Sequence, residues 1–427
     1  MKLKNYIHFN FNNKINSKIN LALYCYSVKN GGRARFTSLI LNQLYKTEIF
    51  RLFLFTRKYK EKNEYSLPNK IKRLLIDKRN NLIKKTKRYK INVLIYQLSD
   101  FNEIKELNKN KNIKTIYYLH SCFFYWLYLN NFKTLISIYR ELKESQYVLT
   151  LVPFENDYLF KKWGIKSILM SNFLTYDIKN VIPSDLSTNN ILMIGRGNDK
   201  LKRFNIGIVA MKFIINEVPD CKMKIITNID YVRDLKYMTE FLSLQDNVKF
   251  IGYSSEPEIY FKNSSIHFFP TVSESFGYVL CETKIFGIPN ILLGLDYVSI
   301  SKGGTVIVYD ESPNTIGIEA IKILKKKKYK QELGKEAIKS MKKFDNESLY
   351  IRWIKIILSV FNGHNYYERN NDLDHTLPAN ESLNLLRTQV NFLKIRMPNY
   401  KNISSEIIEN FTFLDNYWKG QFKQFTH

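Results

Sequence analysis

The stretch SESFGYVLCE, residues 273–282, places Glu274 and Glu282 with seven residues between them and a Phe-Gly at the centre. A carboxylate is costly to bury without partners, and its natural partners are hydroxyl groups, two of which a sugar diol supplies. The preceding SIHFFP (265–270) reads as a strand, and GYVLCETKIF as a helix that stops near Gly287 and Pro289. Gly277 at the junction lets backbone and ligand approach closely. The amides of Gly277, Tyr278 and Val279 then form a helix N-terminus, which suits an anion and above all a phosphate. Two carboxylates beside that anion point to sugars on either side of a diphosphate. Taken alone, the residues also fit a capped helix with one solvated and one salt-bridged Glu.

A second stretch, ILMIGRGNDKLKRF (191–204), is a strand ending in Gly195-Arg196, with Lys202 six residues further on. Arg196 offers a planar fork of donors and Lys202 a point charge, together enough to neutralise a diphosphate without a metal. Either cation alone would be an ordinary surface charge. A third stretch, SVKNGGRARF (27–36), sets Gly31-Gly32 between a first strand and a helix, where backbone comes close to a ligand.

The elements that must hold these residues are legible as alternating short apolar runs and longer amphipathic ones. Six runs, 19–26, 49–55, 91–98, 113–120, 147–153 and 167–173, precede a polar break at 181–190. Six more follow, 190–196, 221–227, 248–253, 265–270, 290–294 and 305–309. Near-continuous apolar runs joined by helices read as buried parallel strands. The fold class is therefore α/β, with two doubly wound domains facing a cleft and ligands beyond the carboxyl ends of the strands. The expected domains are 1–180, 181–362 with its closing helices 319–344 and 348–361, and a polar linker with a helical extension over 363–427.

The 427 residues are 45% hydrophobic and 15% aromatic, which excludes a disordered chain. The net charge of +27 invites phosphorylated substrates, an anionic membrane or nucleic acid, although a Lys-, Asn- and Ile-rich composition accounts for part of it. Cys25, Cys122, Cys221 and Cys281 are scattered, so neither a zinc site nor a disulfide framework is expected. With no apolar signal core and no run of roughly 18 apolar residues, a cytoplasmic location is expected.

These residues together identify a resemblance. From about residue 20 to 360 the chain is similar to family 4 glycosyltransferases, retaining enzymes of the two-domain GT-B fold, and most to those that build bacterial surface polysaccharides. The resemblance rests on Glu274 and Glu282, on Arg196 with Lys202, on Gly31-Gly32, and on the order of residues through 247–277. It implies that Arg196 and Lys202 bind the diphosphate of a nucleotide sugar, with Gly195 in the same loop. Glu274 and the amides at Phe276, Gly277, Tyr278 and Val279 would hold the transferred sugar and the nearer phosphate. Glu282 would hold the ribose, Gly252-Tyr253 would lie along the base, and Gly32 beside Gly31 would approach the diphosphate. His120, ending TIYYLH, matches a histidine near the reacting sugar, and equally fits a structural hydrogen bond. One departure is Arg203, where the family commonly has glycine. No metal is implied, and Asp372-Leu-Asp374 lies in the polar tail.

Residues 56–90 carry fourteen Lys/Arg against three Asp/Glu, a net +11. Arg57–Lys90 could dock on an anionic membrane, with Leu74, Leu75, Leu82 and Ile83 as an apolar face, which suits a lipid-linked acceptor. A solvated helix is the simpler alternative. No nucleic-acid motif is present. The expected activity is transfer of a hexose to a glycan or lipid-linked acceptor. A GT-B epimerase or phosphorylase, or a basic binding protein on the same scaffold, stands as the alternative.

Overall fold

Each of the twelve apolar runs becomes a parallel strand in the computed structural model of the chain. The structure describes residues 18–364 except 30, 78–80, 99–100, 123–131, 154, 157–158, 161–163, 197–199, 255, 272, 296–297 and 311. The expected extension over 363–427, including Asp372 and Asp374, lies outside these residues from 365 on. The chain divides into two compact units, one running to Phe173 and taking in the stretch from Asn346, the other Leu174–Asp345.

The first unit holds β1 (Ile19–Cys25), β2 (Phe50–Thr56), β3 (Lys72–Leu75), β4 (Val93–Tyr96), β5 (Lys114–Leu119), β6 (Tyr147–Thr150) and β7 (Ile168–Leu169). They pair in the order β3-β2-β1-β4-β5-β6-β7, every ladder parallel. The strand order reverses between β1 and β4. The helices α1 (Gly31–Tyr45), α2 (Asn81–Arg88), α3 (Phe101–Asn108) and α4 (Phe132–Glu144) connect them. One strand was not expected. KRLL (72–75), read above as part of a basic amphipathic stretch, pairs with β2 as an edge strand. Of the expected apolar face, Leu82 of α2 is fully buried, while Leu74, Leu75 and Ile83 are half-buried.

The second unit holds β8 (Asn190–Ile194), β9 (Lys222–Ile226), β10 (Val248–Ile251), β11 (Ile266–Phe269), β12 (Asn290–Leu293) and β13 (Thr305–Val308). The order β10-β9-β8-β11-β12-β13 reverses between β8 and β11. Its helices are α5 (Phe204–Glu217), α6 (Arg233–Phe241), α7 (Glu258–Lys262), α8 (Tyr278–Ile285), α9 (Pro313–Lys325) and α10 (Lys327–Met341). The basic run 319–344 is thus two helices broken at Lys326, not one. Within β8, Ile191 and Met193 enter one core cluster and Leu192 another, on opposite faces of the sheet. This two-sided burial explains why the run has no polar alternation.

The final helix, α11 (Asn346–Phe361), corrects the expected boundary: it belongs to the first unit, not to the closing helices of the second. Trp353 is fully buried, with ring centroids 5.6 Å from Phe36 of α1 and 5.5 Å from Tyr118 of β5. Arg352 Nη2 donates to Leu169 O at 2.7 Å, tying α11 to β7. Among the described residues no helix is long and apolar enough to cross a membrane. Replacing Trp353 by Ala should cost about 3–5 kcal/mol, the usual loss for a buried aromatic. Denaturant unfolding checks this, and a loss below about 1 kcal/mol would contradict the packing of α11 as part of the first unit's core.

Candidate active site

In the second unit β8 and β11 are neighbours, with Ile266 opposite Ile191, so the loops leaving their carboxyl ends emerge side by side at the reversal of strand order. That point is where a doubly wound sheet opens to ligands. The loop after β8 contains Gly195, exposed Arg196 and Lys202, and the loop after β11 contains Glu274 and Phe276. The two meet directly: Lys202 Nζ lies 3.3 Å from Glu274 Oε2, both side chains about one-fifth exposed. Lys202 Nζ also stands 5.2 Å above the ring of Phe269, the last residue of β11.

Gly195 makes this geometry possible. A Cβ there would sit 2.9 Å from Lys202 Cγ and 3.1 Å from the ring of Phe204, so any side chain displaces the lysine stem. On the facing loop Gly277 has φ +79°, in the left-handed region that glycine alone enters without strain, and it caps α8 with no side-chain hydrogen bond. Tyr278 and Val279 begin the helix, which has no acidic residue in its first turn. A helix N-terminus without a side-chain cap faces the loop that carries Glu274. Glu274 Oε1 accepts from Ser275 N at 3.2 Å.

Glu282 is 4% exposed, far more enclosed than a solvated helix residue. Below it the helix rests on a polar cluster that sequence reasoning missed. His267 of β11 faces Asn290 of β12 across the sheet, its Nδ1 2.7 Å from Asn290 Oδ1. Asn290 Nδ2 donates to Ile288 O, so its oxygen is the acceptor and His267 carries its proton on Nδ1. Thr283 Oγ1 donates to the same oxygen at 2.9 Å. Burial lowers the His267 pKa to about 4, and the Lys202 charge adds to this. Lys284, fully buried, donates to the carbonyls of Ile300 and Lys302 and so ties α8 to the loop after β12. The only sequence signal for these was polar residues inside otherwise apolar runs. Gly252 follows β10 in open space, and Tyr253 is 57% exposed.

The first unit holds the remaining candidates. Gly31, with φ +84°, and Gly32 open α1 after β1, both exposed. His120 follows β5, its ring 4.1 Å from Tyr118 and 4.7 Å from Phe36. Burial of the ring nitrogen, with the Arg33 charge beside it, holds the imidazole neutral, well below its ordinary pKa. The structure therefore brings together Gly195, Arg196, Lys202, Glu274, Phe276, Gly277, Tyr278, Val279 and Glu282 on one unit's edge, and places Gly31, Gly32 and His120 on the other unit.

Residues 176–340 match the family model described as "Glycosyl transferases group 1". An uncharacterized glycosyltransferase of Haemophilus influenzae is 25% identical over 181 residues, 42% of this chain and 50% of the relative, so the match spans half of that relative's length. Among solved structures, sucrose-phosphate synthase from Thermosynechococcus elongatus superposes with a TM-score of 0.65 at 16% identity, over 81% of this chain and all of the other. Anabaena HepE, solved with UDP and glucose, gives 0.65 at 14% identity over 80% of this chain and all of its own. WaaG, a glycosyltransferase involved in lipopolysaccharide biosynthesis, gives 0.63 at 12% identity over 79% and 99%. The fold is GT-B, as the resemblance implied.

Two outcomes test this geometry. Gly195→Ala should move Lys202 off Glu274 and weaken nucleotide-diphosphate binding about tenfold, read by calorimetric titration with UDP, while the fold persists. Unchanged affinity would show that the lysine stem does not depend on Gly195. The second outcome concerns Lys284, whose pKa burial pushes down to about 7, with Cys281 opposing and Lys343 reinforcing the shift. Between that value and the ordinary lysine pKa of about 10.4 the unfolded chain binds the extra proton, so this group makes stability rise with pH across that window. Lys284→Met should flatten the rise, measured by denaturant unfolding at several pH values. An unaltered pH slope would show that the lysine stays charged in the fold.

Proposed function

We propose that this chain, a group 1 glycosyltransferase by its residues 176–340 and its GT-B fold, transfers a hexose from a nucleoside-diphosphate sugar with retention of configuration. The acceptor is a glycan or a lipid-linked sugar, in polysaccharide or glycoconjugate synthesis. The observation that carries this reading is the meeting of Lys202 with Glu274 at 3.3 Å beside the α8 N-terminus, at the reversal of strand order.

Negative charge grows on the diphosphate as the glycosidic bond breaks. In this reading Lys202, Arg196 and the amides of Gly277, Tyr278 and Val279 stabilise it, and fixed charges and dipoles of this kind need no reorganisation as the bond breaks. The cations and amides take the part that a metal plays in other phosphate chemistry, so the reading calls for none. Glu274 leaves Lys202 to the incoming phosphate and accepts hydroxyls of the transferred sugar. Glu282, one turn inside the helix and enclosed, accepts the ribose hydroxyls. Gly252 and Tyr253 border the base, and Gly31 and Gly32 serve the diphosphate, as the resemblance implies. Neutral His120 orients the sugar by a hydrogen bond. HepE has been solved with UDP-glucose, which makes a uridine donor the first to try.

Thermal unfolding with UDP, GDP, ADP and their hexose conjugates tests the reading. A ligand at about 100 times its Kd stabilises the fold by about 2.7 kcal/mol. One nucleotide should raise the midpoint, and Lys202→Ala and Glu282→Gln should abolish the shift. Glu274→Gln should lower turnover about a hundredfold or more with little change in nucleotide affinity. No shift with any nucleotide at millimolar concentration would favour a non-catalytic scaffold. Conversion of the nucleotide sugar to its epimer would favour an epimerase, and glycosyl transfer to inorganic phosphate a phosphorylase.

A further inference from the structure

The carboxyl edge of the first sheet carries the start of the basic stretch 56–90, outside the candidate site described above. The turns leaving β1 and β2 are bound to each other: Arg57 N and Lys58 N both donate to Tyr26 O at 3.1 Å. Lys58 O accepts from Thr56 Oγ1 at 2.8 Å and from Arg73 Nη2 at 3.1 Å. Arg73 is clamped by Glu64 through two hydrogen bonds of 2.6 and 3.0 Å. Burial raises the Glu64 pKa, but the Arg73 bonds and charge, the Glu61 amide and the Lys60 charge more than offset this and hold it low. Further on, Tyr65 N donates to Val28 O at 3.1 Å and Ser38 Oγ to Ser66 O.

Residues 57–66 are therefore fastened at both ends across the turn that leads to Gly31. Side chains left outside these bonds face solvent from a fixed backbone. Tyr26 is 53% exposed and Tyr59 75%. Lys58 Nζ lies 5.7 Å from the Tyr26 ring, and Lys60 and Lys62 are exposed. Glu61 reaches Lys29 and Glu64 is held by Arg73 with the Lys60 charge nearby, so among the described residues Lys58, Lys60 and Lys62 close no salt bridge.

We propose that Tyr26, Lys58, Tyr59 and Lys60 form an acceptor subsite for an anionic glycan, a sugar chain bearing carboxylate or phosphate groups. The inference rests on the transferase reading. Tyrosine rings offer flat amphipathic faces to sugar rings, and lysines beside them answer the charge. A fixed backbone lowers the ordering cost of binding. A lipid surface fits less well, because peripheral docking needs exposed apolar side chains to insert, and here Leu82 is buried and Leu74, Leu75 and Ile83 are half-buried.

Calorimetric titration of the full chain with an oligogalacturonate, with maltotetraose as the neutral control and with UDP in parallel, tests this. The acidic oligosaccharide should bind at least about tenfold more tightly than the neutral one at about 50 mM NaCl, and this preference should fade at about 500 mM. The double variant Lys58→Ala/Lys60→Ala should lose about tenfold in affinity for the acidic oligosaccharide and none for UDP. Tyr26→Ala should weaken binding of both sugars. Equal binding of the two sugars, or an unaffected double variant, overturns the proposal. If UDP binds and the oligogalacturonate does not, the subsite fails while the transferase reading stands. If the oligogalacturonate binds and no nucleotide does, the transferase reading fails and the acceptor role with it. Sedimentation with phosphatidylglycerol vesicles that is lost in the double variant, with no oligosaccharide bound, would replace the glycan by a lipid surface.

Discussion

The reversal of strand order between β8 and β11 is the constraint on which the candidate site depends. Parallel strands joined by right-handed crossovers send the helix after β8 to one face of the sheet and the helix after β11 to the other. The packing agrees: α5 lies with α6 and α9, and α8 with α10. The two loops between them must diverge, and the space they leave is walled by the ends of adjacent strands. Lys202 and Glu274, distant in sequence, become neighbours because Ile191 and Ile266 are paired one layer below. The first sheet repeats the device between β1 and β4, where Arg33 Nη1 reaches Gln97 O at 3.4 Å.

A site of this kind is only as fixed as the helix that presents it. α8 is held from beneath by polar groups as well as by packing. Thr283, His267 and Asn290 share hydrogen bonds inside the sheet–helix layer, and Lys284 grips two carbonyls of the loop after β12. Buried hydrogen-bonded networks have directional requirements that apolar contacts lack, so they define one rotation and one height of the helix. That precision matters to the proposed function, in which Gly277, Tyr278 and Val279 would act through their backbone, whose direction is the direction of the helix.

The strands and the residues that gather at the candidate site were legible because their signals are local. A strand buried on both faces is an unbroken apolar run, and a glycine between carboxylates is visible wherever it falls. β3 escaped because Lys72–Leu75 is a short edge strand with charged side chains, and edge strands tolerate charge that central ones do not. The home of α11 escaped because its apolar face states only that it is buried, and the partner, Phe36 and Tyr118, lies hundreds of residues away in sequence. His267 and Lys284 escaped for the converse reason: a polar residue in an apolar run looks like an exposed one until its partners from other elements are in place.

Arg203 shows how a departure from a family pattern can be understood physically. Its φ of +50° lies in the left-handed region, at the residue that caps α5. Left-handed backbone costs a residue with a Cβ roughly 1–2 kcal/mol, and glycine far less, which is reason enough for a glycine to be common there. The chain accepts the strain because the turn serves Lys202, the preceding residue. With the backbone reversed at 203, α5 can begin at Phe204 while the Lys202 side chain folds back across Gly195 toward Glu274. Gly195 and the left-handed residue 203 are thus two halves of one requirement. The first clears room for the lysine stem and the second turns the chain away from it.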